Sequence, residues 1–236
     1  MPAPKPTNTY RSWPQQVLRF FGKILFYFLL ISIGGTLIFR FVPIPFTWTM
    51  LDRKISNGGT IHYDWTSYDE ISPEMALAVI ASEDQRFPQH FGFDFEMMGN
   101  AFKGNLKGRR IKGASTISQQ VAKNVFLWQG RSYFRKIMEA WFTLLIEVIW
   151  GKQRILEVYL NVAETGPMTF GVEAAAQRFY GKTAAQLSRS EAARIAAVLP
   201  SPNRFSVTNP SGYVIRRTNA ITRQMRALGG KTYLVF

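Results

Sequence analysis

The sequence predicts a mostly α-helical domain tethered by one N-terminal transmembrane helix, and three observations carry that expectation. Residues 20–42 are apolar apart from Lys23 and Arg40 near the ends, with an uncharged centre from Ile24 to Phe39. From Ser72 onward, helix start and stop signals recur with apolar residues at helical spacing. Strand-like and turn-like residues gather between Thr47 and Ser72, around Asn57-Gly58-Gly59 and Thr60-Ile61-His62-Tyr63, where they predict a small hairpin.

The first element is the membrane span. Residues 1–19 are rich in proline and polar groups, carry Lys5, Arg11 and Arg19 without an acid, and read as a disordered basic tail. With Lys23 they place four cations before the span, so the positive-inside rule keeps the N-terminus cytoplasmic and exports the rest. No small-x-small site follows the apolar stretch, which favours an uncleaved anchor over a signal peptide. Composition bounds the partner. With 29 basic and 15 acidic residues the formal charge is +14, which calls for nucleic acid, acidic lipid or a phosphorylated substrate. Export removes nucleic acid from that set and leaves membrane lipid or a lipid-linked phosphate. The absence of cysteine and the presence of two histidines exclude thiolate chemistry, disulfides and histidine–cysteine metal clusters.

The next element carries the densest chemistry. Ser72-Pro73-Glu74 reads as an N-cap, a first-turn proline and an acidic first turn, predicting a helix that runs towards Phe87. On it Met75, Val79 and Glu83 fall at i, i+4 and i+8, which puts the carboxylate at the end of an apolar stripe. Partial desolvation there would raise its pKa towards the range of a general base. Two readings stay open: a cleft carboxylate, or a helix end where Glu83 and Asp84 pair with Arg86 or a distant lysine. His90 likewise suits either a cleft or a structural role.

Phe95 to Phe102, followed by Lys103 and Lys107, suits a membrane-surface segment or a half-buried helix. Gly104 to Gly113 reads as a mobile, glycine-punctuated basic loop. Ser115 then caps a helix whose core face is Ile117, Val121 and Val125. Its other face repeats Thr116, Gln120, Lys123 and Asn124, which suits a sugar-phosphate ligand or plain solvent. Arg131 to Glu139 opens a helix reaching Trp150, with Arg135 and Glu139 one turn apart as an ion pair and Ala140 to Trp150 as the core helix. A helix over Lys152 to Asn161, a Gly166-Pro167 turn and a glycine-stopped helix from Gly171 to Gly181 follow. A Ser188–Glu191 capping box starts a helix to Leu199, and an amphipathic helix runs from Pro210 to Leu228.

Taken together, Glu83-Asp84-x-x-Phe87-x-x-His90-x-Gly92, Gly113-Ala114-Ser115-Thr116-Ile117-Ser118-Gln119-Gln120-x-x-Lys123-Asn124, Arg135-Lys136-x-x-Glu139 and Lys152-x-x-Ile155-Leu156-x-x-Tyr159-Leu160-Asn161 resemble the ordered motifs of the bacterial peptidoglycan glycosyltransferases. The likeness covers residues 70–205, and with no room for a transpeptidase module the chain resembles the monofunctional members. Ala114 and Ser118 stand where glycine and threonine are usual, and neither change removes a candidate catalytic group.

The resemblance implies a lysozyme-like glycosyltransferase fold whose cleft opens at the bacterial inner membrane. It implies polymerisation of lipid II into glycan strands, with inversion at the donor. On that likeness Glu83 is the general base and Glu139 the second acid, positioning substrate or a metal. Lys123, Arg131 and Arg135 hold pyrophosphate, and Thr116, Gln120 and Asn124 line the sugar path. Asp84 and His90 organise the cleft, with Phe87 and Ser115 completing the substrate-binding set. No cofactor is required, though Glu139 leaves room for a divalent cation such as Mg2+ or Mn2+. Partners are lipid II, the growing polyprenyl-pyrophosphate glycan, the membrane and proteins of the division or elongation machinery. The competing functions are a membrane-anchored muramidase or lytic transglycosylase and a non-catalytic cell-wall scaffold. The expected boundaries are a cytoplasmic tail at 1–19, an anchor at 20–42, a linker at 43–69 and the domain at 70–236.

Overall fold

The computed structural model describes residues 13–106, 115–130 and 132–236. The anchor helix α1 runs Trp13–Phe41, so residues 13–19 are helical rather than part of a disordered tail; residues 1–12 lie outside the described set. At about 1.5 Å per residue its 29 residues reach on the order of 43 Å, ample for a bilayer. Its C-terminal part is fastened to the domain. Trp150 Nε1 donates to the Thr36 carbonyl at 2.7 Å, while Arg154 Nη2 donates to the carbonyls of Phe39 at 2.9 Å and Val42 at 2.6 Å. Phe39 is among the last four residues of α1, whose carbonyls lack intrahelical partners, and Val42 follows the helix directly.

The segment after the anchor holds helix α2 (Trp48–Asn57), capped by Thr47, and strand β1 (His62–Tyr63). No hairpin forms there. β1 pairs in parallel with β3 (Thr169–Phe170), which pairs antiparallel with β2 (Glu164–Gly166), giving the order β1-β3-β2. The partner strand lies about a hundred residues on, so local turn residues could not reveal it. The segment is also tied down by side chains. Arg53 meets Glu164 at 3.1 Å, and the Asn161 amide accepts from Thr66 N and donates to Thr66 O, both at 2.8 Å.

Helix α3 (Pro73–Glu83) is the centre of the domain. Every residue from Met75 to Ala81 is buried, so the helix has no solvated face and the expected stripe is a fully enclosed helix. It is packed by helix α7 (Gly151–Val162), helix α9 (Arg189–Val198), helix α10 (Gly212–Ala227) and a 3-10 turn at Gly230–Leu234. α3 stops at Glu83 rather than Phe87, because Asp84 takes φ −158 and ψ 77. A 3-10 turn at Phe87–Gln89 follows, then helix α4 (Phe95–Leu106). The basic loop expected beyond it lies, from residue 107 to residue 114, outside the described residues.

Helix α5 (Ile117–Phe126) is capped by Thr116, not Ser115. Thr116 and Gln119 form the capping box, and the Thr116 hydroxyl also donates to Gly92 O at 2.6 Å. Helix α6 (Tyr133–Ile149) enters the core as expected, through Phe142 and Ile146, but it also buries Glu139, Thr143 and Glu147 and exposes Ile137, Leu144 and Val148. Partners inside the domain account for the buried acid on its inner side. Glu147 accepts from Ser118 Oγ at 2.5 Å and Lys152 Nζ at 2.7 Å, and these partners lie inside the domain. The later local signals match the structure: helix α8 (Val172–Tyr180) ends on left-handed Gly181, and the Ser188–Glu191 capping box starts α9.

Gly171 adopts φ +81, and a Cβ there would stand 2.5 Å from the Asn161 carbonyl oxygen. Gly181, at φ +65, has nothing within 4 Å of that position. Gly171→Ala is therefore expected to destabilise by roughly 2–3 kcal/mol or more, and Gly181→Ala by only about 1 kcal/mol. Thermal melts of the two variants check this, and equal shifts would remove the Asn161 contact as the cause.

Candidate active site

A cleft of about 850 Å3 opens at the C-terminal end of α3. Its walls come from Glu83 to Arg86, from Asp94, Glu96, Met97 and Asn100, from Ser115 and Gln120, and from Pro200, Tyr213 and Arg217. Glu83 arrives there because α3 ends at that residue. Its side chain keeps 15% exposure, and both oxygens are engaged. Gln120 Nε2 donates to Oε2 at 3.2 Å, and Arg217 Nη2 stands 3.4 Å from Oε1. Behind Gln120, the Tyr159 hydroxyl donates to Gln120 Oε1 at 3.4 Å, turning the amide nitrogen towards the carboxylate.

Burial raises the pKa of Glu83; the Gln120 hydrogen bond and the Arg217 charge oppose the rise, and Asp84 adds to it. Burial, reinforced by Glu83 and Asp84, pushes the Tyr159 phenol well above its ordinary value, so that hydroxyl remains a donor. Asp84 itself is buried and structural in its contacts. It accepts from the Ile117 amide at 3.0 Å, at the first residue of α5, and from His90 Nε2 at 3.0 Å. A carboxylate at that position suits the partial positive charge of a helix start.

A second cluster lies further along α5. Lys123 is one turn beyond Gln120 and shares its electrostatic surroundings with Arg135, Lys136 and Glu139. Glu139 is buried, accepting from Arg135 Nη1 at 3.1 Å and from Lys136 Nζ. Three cations against one carboxylate leave a positive balance. Burial lowers the pKa of Lys123, Glu139 opposes this, and Arg135 and Lys136 add to the lowering. The Arg135 Nε is buried with no partner among the described residues. Both Glu139 oxygens are taken by cations, a poor setting for a metal ligand. Among the described residues no group of three or more carboxylates and histidines gathers into a metal site.

Of the residues the sequence singled out, Glu83, Asp84, Ser115 and Gln120 line the cleft. Lys123, Arg135 and Glu139 form the cationic cluster beside it, with half-buried Asn124 next to Lys123 on α5; Arg131 lies outside the described residues. Phe87 and Thr116 have no exposed surface to offer a ligand. Phe87 packs under Lys152, whose Nζ is 4.5 Å from the ring centroid, and Thr116 is committed to its cap and to Gly92. His90 stands behind Asp84. Sequence reasoning missed Arg217 and Lys136, and gave Tyr159 no role. The Arg217 signal was present: it lies between Val214, Thr218 and Ile221, on the apolar side of the last helix.

The family model described as Transglycosylase matches residues 52–226. The chain is 52% identical over 209 residues to a biosynthetic peptidoglycan transglycosylase of Pectobacterium atrosepticum, covering 86% of this chain and 85% of that one. It is 56% identical over 208 residues to a protein of the same description from Yersinia pseudotuberculosis, covering 85% and 86%.

Folding raises the pKa of Glu83, so the unfolded chain releases this proton at a lower pH than the folded one. The stabilisation linked to the group is complete below the unfolded carboxylate range and is lost as pH climbs through the folded value. Glu83→Gln carries no such proton. Its melting temperature should exceed that of the wild type at neutral pH and converge with it in acid, as a series of melts across pH would show. A wild type that melts higher at neutral pH would mean that Gln120 and Arg217 outweigh desolvation.

Proposed function

We propose that this chain, which belongs to the transglycosylase family, polymerises peptidoglycan glycan strands from lipid II, with Glu83 as general base. The observation that carries the reading is a single helix, α5, which holds Gln120 against Glu83 and, one turn on, Lys123 among the cations around Glu139. A desolvated base and a positive pocket beside each other match a transfer whose leaving group is a pyrophosphate.

In the step, the 4-hydroxyl of the acceptor GlcNAc attacks C1 of the donor MurNAc while Glu83 takes the hydroxyl proton. The bond from C1 to the pyrophosphate oxygen breaks, and inversion converts an α-linked pyrophosphate into a β-1,4 bond. The negative charge that develops on polyprenyl pyrophosphate is met by Lys123, Arg135 and Lys136, with Glu139 holding the latter two in place. Because the leaving group is already a good one, orientation, a base and charge stabilisation suffice without a covalent intermediate. A cleaving enzyme would need Glu83 protonated as an acid and would make no use of the cationic cluster.

The apolar α1 anchors the chain in a membrane. With four cations before its uncharged centre, the N-terminus belongs in the cytoplasm and the cleft on the extracytoplasmic face of the bacterial inner membrane, where lipid-linked donor and acceptor are confined together.

Polymerisation of lipid II by purified protein tests the base. Glu83→Gln should slow turnover by ~10²–10⁴-fold while lipid II still binds. The wild-type rate should fall on the acidic side as Glu83 is protonated; near-normal polymerisation by folded Glu83→Gln would overturn the assignment. Lys123→Ala separately tests the cationic pocket. Losing one charge-assisted contact of roughly 1.5–3 kcal/mol should lower the rate at limiting lipid II by ~10–100-fold, read in the same assay.

A further inference from the structure

The last helix reaches the base from the far side of the cleft. The buried face of α10 is Val214, Thr218, Ile221 and Met225, and Arg217 borders that face, three residues after Val214 and four before Ile221, with its side chain only 26% exposed. Arg216, its neighbour in sequence, stays exposed. Among the described residues Arg217 pairs with no carboxylate except Glu83, and its buried Nε has no hydrogen-bond partner.

The other groups around Glu83 are otherwise engaged. Asp84, next in the chain, is held by His90 and the Ile117 amide. Arg86 turns to Asp94 and Glu96. From α7, Tyr159 contributes an uncharged hydroxyl behind Gln120, and from the C-terminal 3-10 turn Tyr233 donates to the Gln85 carbonyl at 2.7 Å. Arg217 is thus the one cation in contact with Glu83 among the described residues, facing a carboxylate that has Asp84 beside it and only 15% of its side chain exposed.

Resting on the base assignment above, we propose that Arg217 is a positioning residue for the reaction, its guanidinium holding Oε1 of Glu83 while Gln120 holds Oε2. The grip keeps the carboxylate ionised and fixes its direction, which are the two conditions a general base must meet before an acceptor hydroxyl arrives. Proton affinity supports the same view. Burial and Asp84 both favour the protonated acid, which would be useless as a base, and the Arg217 charge works against them.

The test compares Arg217→Gln with Arg217→Lys in the full-length protein. Rates of lipid II polymerisation are followed across pH, and the carboxyl carbon of Glu83 is titrated by 13C NMR. In Arg217→Gln the Glu83 titration and the acidic limb of kcat/KM should both move to higher pH. The wild-type to variant rate ratio should be ~10-fold or more on that limb and shrink towards the alkaline plateau. Arg217→Lys, which keeps the charge, should stay near the wild-type limb. If Arg217→Gln fails to fold, Arg217→Met keeps the packed stem and is read in the same way. A loss by the same factor at every pH, or an unmoved Glu83 titration, would overturn the proposal. The NMR titration needs no turnover, so it stands apart from the base assignment, which fails only if Glu83→Gln polymerises normally.

Discussion

Keeping a carboxylate ionised at the end of a fully enclosed helix costs free energy, and the surrounding elements are arranged around that constraint. α3 has to be buried on every side because it is the core of the domain, and its last residue is Glu83. The acid therefore leaves the helix where apolar packing stops and the cleft begins. Two polar groups from two other helices, Gln120 and Arg217, meet its oxygens, and a third helix supplies Tyr159 to orient Gln120. The site is consequently a property of four helices rather than of any one motif.

α5 has a double function in this arrangement. Its start is pinned by Asp84, directly after Glu83, through the Ile117 amide, and by Thr116 to Gly92. With its N-terminus fixed to the stretch that carries Glu83, Gln120 and Lys123 follow at set heights along one helix face. The distance between the proposed base and the positive pocket is thereby set by helical geometry, which suits a reaction in which the acceptor hydroxyl loses its proton as it attacks the donor C1 and pyrophosphate leaves that carbon. The pair of buried Glu147 and half-buried Lys152 continues the same principle one layer back, with Lys152 covering the Phe87 ring in the turn after Glu83.

The anchor belongs to the same structure rather than trailing from it. Arg154 closes the C-terminal carbonyls of α1, Trp150 reaches the Thr36 carbonyl, and Arg154 also stacks 5.0 Å from the Trp65 ring. These contacts tie the end of α1 to α7, the helix that also carries Tyr159. The orientation of the cleft relative to α1 is therefore built in, which suits the proposed use of lipid-linked substrates.

The sequence by itself determined what is local. The long uncharged run set the anchor; Pro73 and the Ser188–Glu191 box set helix starts, and Gly181 set a helix end. The spacing of Gln120 and Lys123 put both on one helix face, and the end of an apolar helix marked Glu83. What it could not determine were the contacts made across more than a hundred residues. β1 pairs with β3, not with a neighbouring strand, and Arg217 meets Glu83 from the opposite end of the domain. Local patterns also misjudged polarity in α6, where Thr143 and Glu147 face inward: Thr143 donates to the Glu139 carbonyl, and Glu147 is met by Ser118 and Lys152. A polar residue on a helix reads as solvent-facing until the groups that satisfy it are known, and only the tertiary structure decides which distant side chains those are.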